Sequence, residues 1–294
     1  MCRFSFKIIV LTSIVLFSSC NKIYFRKIKK ISTFASSGTS LGRLHDPSEI
    51  KTNGTHLYVS ETGNNRIQRF DINSHDGIDW WGFDSNSNCG WHTSNEEGSG
   101  SFSPEHIDIV NDTLYALNYS SVYKIQISTG ILKSIIAFKE NSPVEDIAVD
   151  TKGNVYFLSD NKVFKYKYNG KFLYVFGGYG TEDNMISGDS PFFVECDNQD
   201  NVYVVCDKLI KFTNKGDFDK TIIKDRGFKG SSLCIVGDRM YHNTGKFVEY
   251  TTDGKVLKRW GDRNNLHVEY CVNGDRIYSL FSDEIIEWKF RPDK

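Results

Sequence analysis

Six short segments of the chain align on a shared tyrosine, and a repeat of that kind constrains the fold more than any local propensity does. The copies are His56-Leu57-Tyr58, Thr113-Leu114-Tyr115, Asn154-Val155-Tyr156, Asn201-Val202-Tyr203, Arg239-Met240-Tyr241 and Arg276-Ile277-Tyr278, their tyrosines spaced by 57, 41, 47, 38 and 37 residues. About nine residues after each tyrosine comes a second β-rich run: Ile67 to Phe70, Val122 to Ile125, Val163 to Tyr166, Leu209 to Phe212, Phe247 to Tyr250 and Ile285 to Trp288. Apolar and polar residues alternate at period two, and turn pairs such as Asn53-Gly54, Lys152-Gly153, Gly237-Asp238 and Asn273-Gly274 lie between the runs, which predicts antiparallel hairpins. A unit of roughly 40 residues holding four strands is a propeller blade. A blade cannot bury both faces alone, so residues 29–294 are expected to form one all-β domain, a six-bladed β-propeller of four-stranded antiparallel blades.

The most specific stretch is Glu61-Thr62-Gly63-Asn64-Asn65-Arg66-Ile67-Gln68-Arg69-Phe70, and a second runs from Pro143 through Ile147-Ala148-Val149-Asp150 into Gly153-Asn154-Val155-Tyr156. Here the sequence resembles the NHL-repeat (TolB-like) family of six-bladed propellers, strongly in blades one and three. Blades five and six lack the leading proline and the Gly-Asn-Asn-Arg loop. The resemblance implies a fold and names no activity, because one fold hosts many. The last copy reads as three strands, His267 to Val272, Arg276 to Phe281 and Glu284 to Phe290. A β-like stretch ahead of the first blade, Lys29 to Ala35, is its expected fourth strand; by completing blade six it removes an open sheet edge.

The hydrophobe that begins each inner strand (Ile50, Ile107, Ile147, Val194, Leu233, Tyr270) gives a common register. The residues just before these marks are Glu49, His106, Asp146, Phe193, Ser232 and Glu269, expected to converge on one rim of the central channel. In the NHL consensus this place is usually glycine. Three carboxylates and an imidazole there make Glu49, His106, Asp146 and Glu269 candidate ligands of a divalent cation, which could activate water or polarise a carbonyl. No other cofactor is expected.

The longest repeat spacing comes from an insertion around Asp71 to Ser101 that holds Trp80, Trp81 and Trp91. Trp80 and Trp81 read as blade one's outermost strand. Trp91 and His92 stand among Ser, Asn and Gly, so they are expected on a loop, as candidate contacts for a protein or glycan. Asp84-x-Asn86-x-Asn88 has the start of a calcium loop, but Cys89 stands at the turn glycine and Asn95 at the bidentate glutamate, so no calcium is expected there. Cys234 and Cys271 occupy matching inner-strand places and read as core thiols; no Cys-x-x-Cys pair supports a zinc or redox centre.

Residues 1–19 combine a short basic start, an apolar run from Ile8 to Phe17 and small residues before Cys20. That pattern reads as an export signal, and the run is too short to span a bilayer. Ser18-Ser19-Cys20 resembles the lipobox of bacterial lipoproteins, which implies acylation of Cys20, a basic tether at residues 20–28, and anchorage in the cell envelope, at the outer membrane of a Gram-negative bacterium. With 36 basic and 37 acidic residues the net charge is -1, so no chain-wide field exists to hold nucleic acid. No GxSxG elbow, P-loop or HExxH motif is present. The main expectation is a monomeric, envelope-anchored, non-catalytic propeller that presents its rim and the Trp91 loop to a protein or carbohydrate. The alternative is a metal-assisted lyase or hydrolase, lactonase-like, working at the channel mouth.

Overall fold

The structure, a computed structural model, describes residues 28–187, 193–224, 232–243, 247–260 and 269–291. Every regular element among the described residues is a β-strand, and the strands form six separate antiparallel sheets arranged as a six-bladed propeller. The inner strands are Pro47–Thr52, Pro104–Val110, Asp146–Val149, Phe193–Cys196, Leu233–Val236 and Tyr270–Asn273, neighbours of one another around the axis. From there each sheet steps outward through consecutive hairpins.

The second strands explain why alternation weakens toward the ring's interior. A blade is packed on both faces by its neighbours, so Val155–Ser159 and Val202–Val205 are buried along their whole length. Six apolar clusters fill the six seams. Tyr58, Ile67 and Trp81 of blade one meet Ile107, Leu114 and Ile125 of blade two, and the last cluster joins Cys271, Tyr278 and Leu280 of blade six to Ile50, Leu57 and Val59 of blade one. Each large aliphatic or aromatic side chain buried this way contributes about 1.5–3 kcal/mol, so the stability is shared around the ring.

The ring closes as expected. Ile28–Phe34 pairs antiparallel with Glu284–Phe290, from Ile28 opposite Phe290 to Phe34 opposite Ile285, with an irregularity between Lys30 and Ser32. Ser32 Oγ donates to Glu287 Oε2 at 2.8 Å, and the Phe34 ring stacks on His75 of blade one at 4.1 Å. The closing strand is therefore held by both blades that flank the seam.

Blade one differs from the expected pattern. Its sheet has five strands, because Cys89–His92 pairs with Gly77–Phe83, placing Trp91 opposite Trp81 and His92 opposite Trp80. Trp91 and His92 are thus on a strand, not on a loop. The cause is local: Asp84 Oδ1 accepts the backbone N–H groups of Asn86 and Asn88 at 2.9 and 2.8 Å, which turns the chain back on itself. Trp91 Nε1 donates to the Ile127 carbonyl of blade two at 2.9 Å, and the Arg69 guanidinium lies 4.5 Å from the indole centroid. The five described cysteines are free thiols; Cys271 is buried and Cys234 half-buried on their inner strands.

Candidate functional site

Every inner strand starts at the same mouth of the axis, and the rim residues sit at these starts. Three of the six come together. His106 Nδ1 lies 3.2 Å from Asp146 Oδ1 and 3.6 Å from Glu49 Oε2. Backbone amides of the next blade fix both carboxylates: the Ile107 N–H donates to Glu49 Oε2 at 2.6 Å, and the Val194 N–H donates to Asp146 Oδ2 at 2.8 Å. Glu49 and Asp146 are buried, while His106 keeps partial exposure toward the mouth. Glu269 lines an adjoining cavity of about 500 Å³ with Asp46, Phe281 and Asp283. Phe193 takes no part in the cluster. Phe193 packs with Tyr203, Val205 and Leu209 in the seam between blades four and five, and the Ser232 carbonyl accepts the Tyr270 hydroxyl at 2.8 Å.

A second tier of charge lies one alternation step down the same strands, at Lys51, Asp108 and Glu195. Lys51 Nζ stands 3.2 Å from Glu49 Oε1 and 2.5 Å from Glu195 Oε1, and Asp108 Oδ2 accepts the Val149 N–H at 2.7 Å. Sequence reasoning did not single these out. The signal was present, because they stand two residues beyond the rim positions in the same register. Below them the far mouth opens as a cavity of about 590 Å³ whose lining includes Cys196, Cys234 and Cys271.

The electrostatics follow from burial with too few cations. Burial penalises the charged form of His106, but the charges of Asp146, Glu49 and Glu269 outweigh it and hold the imidazole up at about 9. Burial lifts Asp146 to about 7 against the pull of His106, and drives Glu269 well above the carboxylate range with help from the Glu49 charge. Glu49 stays below its usual range because Lys51, His106 and the Ile107 amide together outweigh its burial. Near neutral pH the mouth thus presents an imidazolium beside a carboxyl poised at its own midpoint, an arrangement suited to proton transfer. Glu49, His106 and Asp146 also offer donor atoms within 4.8 Å of one another, a mixed oxygen and nitrogen set that fits a divalent cation.

With that geometry in view, comparison with known proteins separates the two functional expectations. No protein-family model matches the sequence, and no curated protein matches it. Among solved structures, a catalytically inactive histidine-to-alanine form of virginiamycin B lyase from Staphylococcus aureus, with quinupristin, superposes with a TM-score of 0.59 at 12% identity, covering 90% of this chain and 99% of that one. A streptogramin B lyase structure gives a TM-score of 0.56 at 10% identity, covering 90% and 98%. The chain shares their propeller fold. The expectation of a non-catalytic propeller that offers its rim and a Trp91 loop to a partner is accordingly corrected. Both of these structures are of lyases, the supposed loop is a strand committed to the contact between blades one and two, and Glu49, His106 and Asp146 are turned toward one another in a paired cluster.

Proposed function

We propose that this protein is a lyase acting at the channel mouth on a carbonyl compound of the ester or lactone class, with His106 and Asp146 as its proton-transfer pair. The observation that carries the reading is the 3.2 Å approach of His106 Nδ1 to a buried Asp146 carboxyl that titrates near neutrality. An elimination needs a base to take the proton from the carbon next to the one that bears the ester oxygen, so that a C=C bond forms, the C–O bond breaks and a carboxylate leaves, and it needs a positive group to stabilise the charge that develops on oxygen. Asp146 supplies the base and the His106 imidazolium the positive group, while Glu49 holds the imidazole in place and Lys51 holds Glu49. A divalent cation bound by Glu49, His106 and Asp146, with Glu269 beside them, would supply the same positive charge as a Lewis acid.

The test incubates the purified protein with quinupristin and with a panel of simple lactones and esters, and reads the products by mass. Elimination gives products whose masses sum to that of the substrate, a single product where a ring is opened, whereas hydrolysis adds one water. Turnover that keeps the mass and disappears in His106→Ala supports the reading; addition of water, or turnover that survives the substitution, overturns it. Repeating the reaction with a chelator decides whether a metal takes part.

The address belongs to the same proposal. Residues 1–19 act as an export signal, Cys20 is acylated, the tether expected over 20–28 gives way to strand at Ile28 and so runs from 20 to 27, and the blades are of NHL-repeat kinship; Cys20 and the segment before Ile28 lie outside the described residues. Cys20→Ser should release the protein from envelope membranes, and retained anchorage would refute the lipid.

A further inference from the structure

The path of the strands fixes which face of the ring the N-terminal segment leaves from. Inner strands start at the candidate-site mouth and run away from it, so in each antiparallel sheet the fourth strand starts at the far face and runs back. Ile28–Phe34 is the fourth strand of blade six, and its first residue pairs with Phe290 at the far end of Glu284–Phe290. The chain before Ile28 therefore departs from the face opposite Glu49, His106 and Asp146. Lys29 and Lys30, next in line, are exposed.

A second feature lies on that far face. The turns 127–133 of blade two and 167–173 of blade three hold Lys133, Lys167 and Lys171 and contain no carboxylate. These lysines are exposed and form no ion pair with a described residue. Exposed apolar side chains stand among them: Ile131 at 54%, Tyr168 at 49% and Phe172 at 42% exposure. Lys124 Nζ donates to the Tyr168 carbonyl at 2.9 Å and so fixes the second turn against blade two. Asp112, next to the first turn, is engaged by Ser128 and Gln126 and also feels the charge of Lys133, so Lys167 and Lys171 are the less opposed of these cations. Lysines interleaved with an aromatic ring and aliphatic side chains suit an anionic bilayer surface, where each lysine contributes about 1 kcal/mol and aromatic rings settle at headgroup depth.

We propose that the protein docks on an anionic lipid surface through this far face, using the turns around Lys133 and Lys167 to Phe172 together with Lys29 and Lys30, and holds its candidate-site mouth toward solution. Seven residues separate Cys20 from Ile28, a reach of about 25 Å. That is about the height of a seven-residue strand, so a tether of this length keeps the face it leaves from against the bilayer. The docking surface itself does not depend on acylation of Cys20.

The test uses the chain from residue 20 to 294 with Cys20→Ser, which retains every described strand and carries no lipid, so it stands or falls separately from the anchor. Hydrogen exchange is followed with vesicles of phosphatidylcholine mixed with phosphatidylglycerol and with phosphatidylcholine alone. The expected result is protection of amides in 167–173 and 129–133 by the mixed vesicles only, with the mouth-side turns at 119–121 and 160–162 unchanged. Lys167→Glu with Lys171→Glu should weaken partition roughly tenfold or more. Failure to bind mixed vesicles, equal binding to neutral ones, or protection of the mouth-side turns overturns the proposal. So does protection of 167–173 that appears without vesicles and grows with protein concentration, which would assign the surface to a second copy of the chain.

Discussion

The two ends of the axial channel are made by the same six strands, yet they handle charge differently. At the far end and in the tier beneath the mouth, Lys51 faces Glu195 and Glu49 within ion-pair distance, and thiols fill positions where other blades carry charge. At the mouth His106 sits between two carboxylates with a third nearby, and burial holds Asp146 near 7 and pushes Glu269 well above its normal range. Carboxylate outnumbers the cation in both tiers, and Glu195 is raised to about 8 beside Lys51 as Asp146 is to about 7 beside His106; the distinction lies in the cation, because Lys51 is held charged well above its ordinary range while the His106 imidazolium titrates at about 9 and keeps partial exposure. A tier whose cation stays charged builds the channel; one whose cation and carboxyl both titrate can exchange protons.

The largest effect that could break this contrast is His106→Ala, which should reduce turnover by about 100- to 10,000-fold in a chain that still shows the parent's circular dichroism at working temperature, checked by steady-state kinetics. Next comes Lys51→Met. Removing the cation of the lower tier strands Glu195 and Glu49 in a buried setting, and urea titration should show a loss of about 3–5 kcal/mol, largely restored in Lys51→Arg. A smaller effect is on pH. The Glu195 carboxyl is raised to about 8 by burial despite Lys51, and Asp146 to about 7 by burial despite His106. Unfolded carboxyls titrate near about 4, so between these values the folded chain binds more protons than the unfolded one, and stability falls as pH rises from about 4 to about 8. Glu195→Gln should flatten the upper part of that slope in scanning calorimetry. Cys234→Ser at the far end should be the least consequential, changing stability by about 1 kcal/mol or less and leaving turnover as it was; a large loss of turnover would erase the contrast between the ends.

Much of the ring was legible because its determinants repeat. Six tyrosines at similar spacing specify six blades, and the unpaired strand before the first blade has one place to go, opposite Ile285 to Phe290. The register marks also placed Glu49, His106 and Asp146 on one mouth, since a β-strand's period of two carries a common starting residue into a common direction. What alternation could not tell was which rim residues reach each other: Phe193 is drawn into the seam between blades four and five by its own apolar surface. The second tier was missed because Lys51 and Glu195 look unremarkable alone and gain meaning only when the axis brings strands from blades one and four together. Trp91 was misplaced for the opposite reason. Its polar neighbours look like a loop, but a backbone turn made by Asp84 and a hydrogen bond to Ile127 hold it in a strand.

The strand that seals the ring is the first of the described strands to be synthesised and the last to find its place. Ile28–Phe34 leaves the ribosome ahead of all six inner strands, whereas its partner, Glu284–Phe290, follows all of them. No prefix that stops short of Glu284–Phe290 can assume the finished topology, so every such product keeps an exposed sheet edge. Completion of synthesis thereby becomes a condition for resistance to proteolysis, and a quality-control protease could tell whole molecules from fragments by that edge alone.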